Sequence, residues 1–283
     1  MNKDISTAEK EIVKQYLLQF YNIEKRYPLL PGIQNTAAVA SLFGLQEEEL
    51  KAARTTFDEQ AKQAAIEILK DDEISDLLDD LPFDGEETVV ALGDSLTDDL
   101  QGWFSILAHV LEIATESPAF NFINAGISFQ TSSEAMQRLD RDVLIHKPDW
   151  VFIALGTFDA QRLNVATNRT LLPLSETWEN LNTIQDALME EVDNDLVWIT
   201  PPPVITELLD DNPLYDFTIH ESDLTQVREL VSGKKGFIVD PRGMRMGKPQ
   251  PEAWNYLSDG LHPSLTGHTE TVKTLLKVLA RKS

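Results

Sequence analysis

The sequence predicts an α/β domain on a parallel sheet covered on both faces, preceded by a smaller helical region. Three observations carry this. From residue 88 onward, short apolar runs alternate with helix-compatible segments, the pattern of strands joined by helical crossovers. Before that point apolar residues recur at helical steps without such alternation. With 42% hydrophobic and 25% charged residues, the chain has the composition of a packed globular protein, and 283 residues suffice for a large domain with an appendage.

The elements follow in chain order. In the opening stretch Ile12, Tyr16, Phe20 and Ile23 fall at three- and four-residue steps, one face of a helix. Pro28, Pro31 and Gly32 then break the pattern. A second helix is expected over about 46–70. The segment from Asp71 to Glu87 holds nine acids and no base. Its Ile74, Leu77, Leu78 and Leu81 still trace a helical stripe, so a short amphipathic helix with a solvated acidic face is expected there. It lacks the glycine and ligand spacing of a calcium loop. Five strands are then expected at 88–92, 120–124, 149–155, 196–200 and 236–240. Helices are expected near 98–115, 131–145, 176–192, 221–232 and 264–281. The domains therefore divide as 1–86, helical, and 87–283, α/β.

Composition excludes several kinds of chemistry. The formal net charge of -23, from 47 acids against 24 bases, disfavours nucleic acid and anionic membranes as partners, since both attract basic patches. No cysteine is present, which removes disulfides, thiolate nucleophiles and cysteine metal sites. The histidines are scattered without metal-ligand spacing, and neither a phosphate loop nor a dinucleotide fingerprint occurs. No cofactor or metal is expected. The opening residues mix acids among the apolar positions, unlike a signal peptide, and no run approaches the roughly 18 apolar residues of a membrane span. A cytoplasmic location is expected.

In parallel sheets ligands bind at the carboxyl ends of the strands. The first strand runs into Gly93-Asp94-Ser95, with a helix expected to start near Thr97 or Asp98. A serine there stands beside free backbone N–H groups at the positive end of a helix, although Ser95 or Thr97 reads as readily as a helix cap. The second strand ends in Gly126, whose backbone can approach a bound group closely. The third ends at Gly156-Thr157-Phe158-Asp159. The loop before the last helix reads "SDGLHPS", placing Asp259 three residues before His262. Histidine is suited to take a serine proton near neutral pH, and a carboxylate can fix its tautomer. His268 is a weaker rival for that role.

Taken together, "GDSLT", "NAG", "GTxD" and "DGLHPS", in this order and on these elements, resemble the SGNH/GDSL hydrolase family. "WITPPPV" and "FIVD" are similar to that family as well, and the likeness covers roughly residues 87–283. The resemblance implies a three-layer, flavodoxin-like α/β/α fold and a serine esterase acting on small-molecule esters. It implies Ser95 as nucleophile, His262 as general base and Asp259 as the acid orienting it. The N–H groups of Ser95 and Gly126 would line the oxyanion hole, and Asp94, Phe158 and Asp159 would border the substrate. One departure stands out. Phe158 occupies the position of the family's asparagine, a side-chain donor to the oxyanion, and a phenyl ring cannot donate. Thr157, Gln161 and Asn164 are the nearest replacements.

The substrate is read only coarsely. Two long connections, about 160–176 and 202–220, flank the same sheet edge and carry Leu163, Leu171, Leu172, Leu209 and Tyr215, suggesting an acyl or aryl group. Short-chain or acetyl esters, including those on carbohydrate, fit this reading. An acyltransferase using the same acyl-enzyme, or a binding protein with a weakened site, are the alternatives. The N-terminal helices must bury their apolar face against the α/β domain, over its active site, or in a homo-oligomer.

Overall fold

The computed structural model describes residues 6–116, 118–243 and 251–281; the first five residues of the region read as helical lie outside these. The strands are β1 (Thr88–Gly93), β2 (Asn121–Gly126), β3 (Trp150–Ala154), β4 (Gln161–Leu163), β5 (Val197–Ile199), β6 (Phe217–Ile219) and β7 (Phe237–Val239). Five of them form a parallel sheet in the order β2-β1-β3-β5-β7. The strand order reverses at β1, so a crevice opens there between the β1 and β3 carboxyl ends. In register at that edge stand Gly93, Gly126 and Ala154, three small residues that leave room above them.

Both sheet faces are buried, which explains the near-continuous apolar strands. One face packs Val90, Leu92, Val151, Ile153 and Trp198 beneath helices Leu174–Glu191 and Glu221–Ser232. The other packs Val89, Ala91, Phe152 and Val197 beneath helices Trp103–Ala114 and Leu265–Ala280. The expected helix over 98–115 is two helices, Ser95–Asp98 and Trp103–Ala114. The break falls at Gly102, which caps the second helix and stands against the Asp99 backbone. The expected 131–145 helix is likewise broken, into Ser132–Gln137, Leu139–Asp142 and a turn at Leu144–His146.

The N-terminal region follows the expected helices with one informative difference. Helix Glu47–Leu69 is continuous, and its Ala61, Ala64, Ala65 and Ile68 join the same core as Val89 and Trp103. Ile74 completes that layer, while the acidic segment around it shortens to Asp72–Ser75 and a turn at Leu78–Asp80. A smaller core of Leu18, Ile33, Val39, Leu45, Leu50 and Phe57 holds the rest. The first helix, expected to run through Ile23, stops early. It spans Thr7–Ile12, widens to a π-helix over Val13–Leu18 and breaks before a short helix at Ile23–Arg26. The break exists because the side chains of Gln19 and Asn22 and the carbonyl of Phe20 bond to the α/β domain instead.

The long connections after β3 and β5 are not separate loops. They meet in an antiparallel ribbon of β4 and β6, with Leu163 opposite Phe217. A short helix, Thr206–Asp210, lies between β5 and β6.

Candidate active site

Ser95 stands one residue beyond the helix cap at the β1 end of the crevice. Asp94 is that cap, its Oδ1 accepting the Leu96 N–H at 3.0 Å, so the helix begins at Ser95, ahead of the expected start near Thr97 or Asp98. The serine is fully buried. Below it, burial pushes the Asp94 carboxyl up to about 7, while the Leu96 N–H, the charge of His262 and the Thr157 hydroxyl pull in the opposite direction. Arg138 braces this edge from beneath, donating to the carbonyls of Gly93 at 3.1 Å and Ala125 at 2.6 Å.

Asp259 and His262 are joined in the loop before the last helix. His262 Nδ1 lies 2.7 Å from Asp259 Oδ2, and both residues are fully buried. The other carboxylate oxygen accepts the N–H groups of Leu261 and His262, each at 3.0 Å. Burial alone would raise the Asp259 pKa, but the His262 ring and these donors outweigh it and hold the carboxyl near about 2. A further donor comes from the ribbon approach: Tyr215 Oη gives its proton to Asp259 Oδ2 at 3.0 Å. Burial and the Asp259 charge raise the Tyr215 pKa, keeping it a donor.

His268 is not at this site. Its Nε2 meets Asp99 Oδ2 at 3.0 Å, which makes it a buried partner of an acid on the Ser95 side of the crevice. Gly126 comes close to the serine helix, because a Cβ there would meet the Asp98 nitrogen at 2.5 Å. Its N–H is engaged by Asn124 Oδ1 at 2.9 Å, and Asn124 Nδ2 in turn donates to the Thr97 carbonyl.

The third-strand turn is packed more tightly than the sequence suggested. Gly156 takes φ +108, which an L side chain would strain. Phe158 is fully buried in a cluster of rings, 5.1 Å from Phe129 and 6.1 Å from Phe217 between centroids. It fills core volume rather than lying open to a substrate. The carboxylate of Asp159 is occupied by Ser132, through N–H at 2.7 Å and Oγ at 2.5 Å. Gln161 and Asn164 belong to the ribbon, where Asn164 is exposed. Among the described residues no hydrogen bond joins either side chain to Ser95 or His262.

Two features escaped the sequence reading. Phe129 adopts φ +62, unusual for a bulky residue, and is held there by rings on several sides, including His262 at 5.8 Å and Tyr21 at 5.4 Å. No glycine or asparagine stands at this position in "GISFQT", so nothing local marks the turn. The other is Phe20, whose ring lies 4.1 Å from the His262 ring at an interplanar angle of 32°. Gln19 and Asn22 beside it bond the carboxylates of Asp99 and Asp98. The second half of "GDSLTDD" thus serves the N-terminal segment. Ser95 Oγ and His262 Nε2 lie beneath this cover and, among the described residues, neither has a hydrogen-bond partner.

The chain is similar to known proteins in sequence and in fold. The family model described as "GDSL-like Lipase/Acylhydrolase family" matches residues 91–269. In fold, the chain is similar to a lipase/acylhydrolase from Enterococcus faecalis, with TM-score 0.54 and 20% identity over 69% of this chain and 96% of that one. It is also similar to an acetylxylan esterase from Geobacillus stearothermophilus, with TM-score 0.55 and 19% identity over 70% and 95% of the two chains. A curated relative, the uncharacterized lipoprotein YqeF of Bacillus subtilis (strain 168), is 38% identical over 86 residues. That match takes in 27% of this chain and spans only a third of the relative's length, 33%. Among the described residues, no helix is long and apolar enough to cross a membrane.

Proposed function

We propose that this chain, which belongs to the GDSL-like lipase/acylhydrolase family, is a serine esterase that cleaves small carboxylic esters through an acyl-enzyme on Ser95. The observation that carries this reading is the buried Asp259–His262 pair, 2.7 Å apart, together with a buried serine at the end of β1 whose preceding residue feels the His262 charge. His262 is near enough to Asp94, the residue before Ser95, for its charge to favour the ionised carboxyl there. Supporting it, variants of the Geobacillus esterase described as catalytic mutants replace a serine, an aspartate and a histidine, the last two three positions apart. Asp259 and His262 have the same spacing.

In the proposed reaction Ser95 Oγ attacks the ester carbonyl carbon and passes its proton to His262 Nε2. Asp259, bonded at Nδ1, fixes the tautomer that leaves Nε2 free to accept and stabilises the imidazolium. The oxyanion is met by the N–H groups of Ser95 and Gly126, the latter once Asn124 releases it. As the carbon–oxygen bond to the alcohol breaks, His262 returns the proton to the departing oxygen. Water then attacks the acyl-serine, again giving a proton to His262, and the carboxylic acid leaves while Ser95 recovers its proton. Phe158 cannot supply the donor that the family's asparagine provides, and elsewhere the loss of a single oxyanion donor costs about 10²–10³ in rate. The proposed enzyme is correspondingly slow.

For substrate we propose acyl groups of acetyl size on an uncharged alcohol, carbohydrate included. The net charge of -23 works against anionic lipid surfaces. The proposed location is the cytoplasm, and recovery of the chain in a membrane fraction would overturn it. The test of the reaction is labelling by a fluorophosphonate together with turnover of a short-chain aryl ester. Both are expected for the parent protein and neither for Ser95→Ala. Labelling that persists in Ser95→Ala would assign the nucleophile elsewhere.

A further inference from the structure

We infer that residues 16–27 form a strap that closes the active site, so that this structure is a latent state and Ser95 reacts only when Phe20 leaves His262. The inference rests on the reading of Ser95 and His262 as nucleophile and base.

The strap occupies the place a substrate needs. An ester carbonyl must reach Ser95 Oγ with its leaving oxygen near His262 Nε2, within about 3–3.5 Å. Both atoms are sealed from solvent and, among the described residues, without a hydrogen-bond partner, and the Phe20 ring, only 2% exposed, lies against the imidazole. With both atoms buried, a substrate in solvent does not reach them in this arrangement. Closure also affects the proposed oxyanion site. Lys25 on the strap reaches Asn124 Oδ1 at 3.2 Å, the same oxygen that takes the Gly126 N–H.

Polar ties bind the strap on three sides of the serine. At the serine helix, Gln19 Nε2 donates to both Asp99 oxygens, at 2.9 and 3.1 Å, and Leu100 N–H donates to the Gln19 carbonyl at 3.0 Å. Asn22 Nδ2 donates to Asp98 Oδ1 at 2.7 Å, and Lys25 pairs with the same oxygen. At the β2 loop, Ser128 Oγ donates to the Phe20 carbonyl, and Arg26 donates to the Ser128 carbonyl at 3.1 Å. Beside Asp259, Tyr16 Oη shares a proton with Ser258 Oγ at 2.6 Å.

The strap is not packed as permanent core is packed. Apart from the buried Leu18 and Phe20 and the half-buried Tyr16 and Ile23, its apolar residues are open to solvent, with Leu17, Tyr21 and Tyr27 each more than a third exposed. A cavity of about 440 Å³ runs along its flank, lined by Tyr21, Ile23, Phe43, Ile127 and Phe129. A segment tied largely by hydrogen bonds, with Leu18 and Phe20 its buried apolar side chains and space beside it, is of the kind that opens locally while the sheet stays folded. In the turn that follows, residues 29–32 are exposed before Ile33 anchors the chain in the smaller core, and these residues supply the slack.

The experiment compares rates of Ser95 modification in the full chain, where Ser95 Oγ bonds the phosphorus of a fluorophosphonate and fluoride leaves. Phe20→Ala and Lys25→Ala are expected to react at least tenfold and severalfold faster than the parent, with the sheet's circular dichroism retained. Hydrogen exchange on the unsubstituted chain needs no variant to fold. After modification the Leu100 amide, which donates to Gln19, is expected to exchange faster than before. Equal modification rates in the three proteins, or a Leu100 amide equally protected with the adduct in place, would overturn the strap. Absence of Ser95 modification in all three, the loosened variants included, would instead remove the esterase reading on which the strap rests.

Discussion

Asp94 illustrates how one residue can be costly and still be retained. Its Oδ1 caps the serine helix, but among the described residues Oδ2 is buried without a hydrogen bond of good geometry. Burial lifts the pKa from the ordinary 3.8 to about 7. A carboxyl raised on folding favours the folded state only while protonated. Its stabilising contribution is therefore full below the unfolded pKa, declines as pH rises from about 4 and is gone above about 7. A shift of this size corresponds to a few kcal/mol at most, at about 1.4 kcal/mol per unit. Asp94→Asn keeps the capping oxygen and cannot ionise. It is expected to raise the melting temperature at pH 8 and to give a much smaller gain at pH 5. Melting curves of both proteins at the two pH values check this, and an equal gain at both would refute the assignment.

Among the elements, the β4–β6 ribbon has a role beyond covering the sheet. It anchors the chain around Tyr215, whose hydroxyl shares Asp259 Oδ2 with the histidine. A hydrogen bond to a buried charge is worth about 1.5–3 kcal/mol. Tyr215→Phe should thus loosen the carboxylate without touching the serine. The expected result is a fall in kcat of about tenfold with KM nearly unchanged, measured on a short-chain aryl ester; an unchanged kcat would limit the ribbon to packing. The neighbouring turn behaves differently. Phe158→Asn would place an amide among Phe129, Phe217 and the sheet core. Losing a buried phenyl costs about 3–5 kcal/mol, so this change is expected to lower the melting temperature by several degrees before it could restore any oxyanion donor.

For the molecule as a whole, the N-terminal region and the α/β domain share a core. Helix Glu47–Leu69 covers Trp103, Ile106, Leu107 and Leu276 on one side of the sheet, and Lys273 and Lys277 reach back to Asp71 at 2.8 Å and Glu73 at 2.7 Å. Deleting residues 1–86 would uncover that face along with Ser95. The truncated chain is expected to self-associate or aggregate, as judged by light scattering and gel filtration. A soluble, monomeric, fully active truncation would show that the shared core is dispensable.

The strands, their order of chemistry and the Asp259–His262 spacing were readable from the chain because each is local. A strand buried on both faces is a short apolar run between turns, and an acid three residues before a histidine needs only one loop to bring the two together. Even the helix starting after β1 was legible, although its first residue was misplaced because either Asp94 or Thr97 can cap it. What lay beyond reach depends on contacts distant in sequence. Phe20 meets His262 across more than two hundred residues, and Tyr215 meets Asp259 across 44. The break in the first helix follows from Gln19 and Asn22 finding carboxylates at Asp99 and Asp98, a choice invisible to periodicity, which read those positions as one continuous helix. Local spacing thus determined the fold class and the Asp259–His262 contact. Whether the serine stands open or covered was decided only by tertiary packing, because burial is a property of what the rest of the chain lays over a residue.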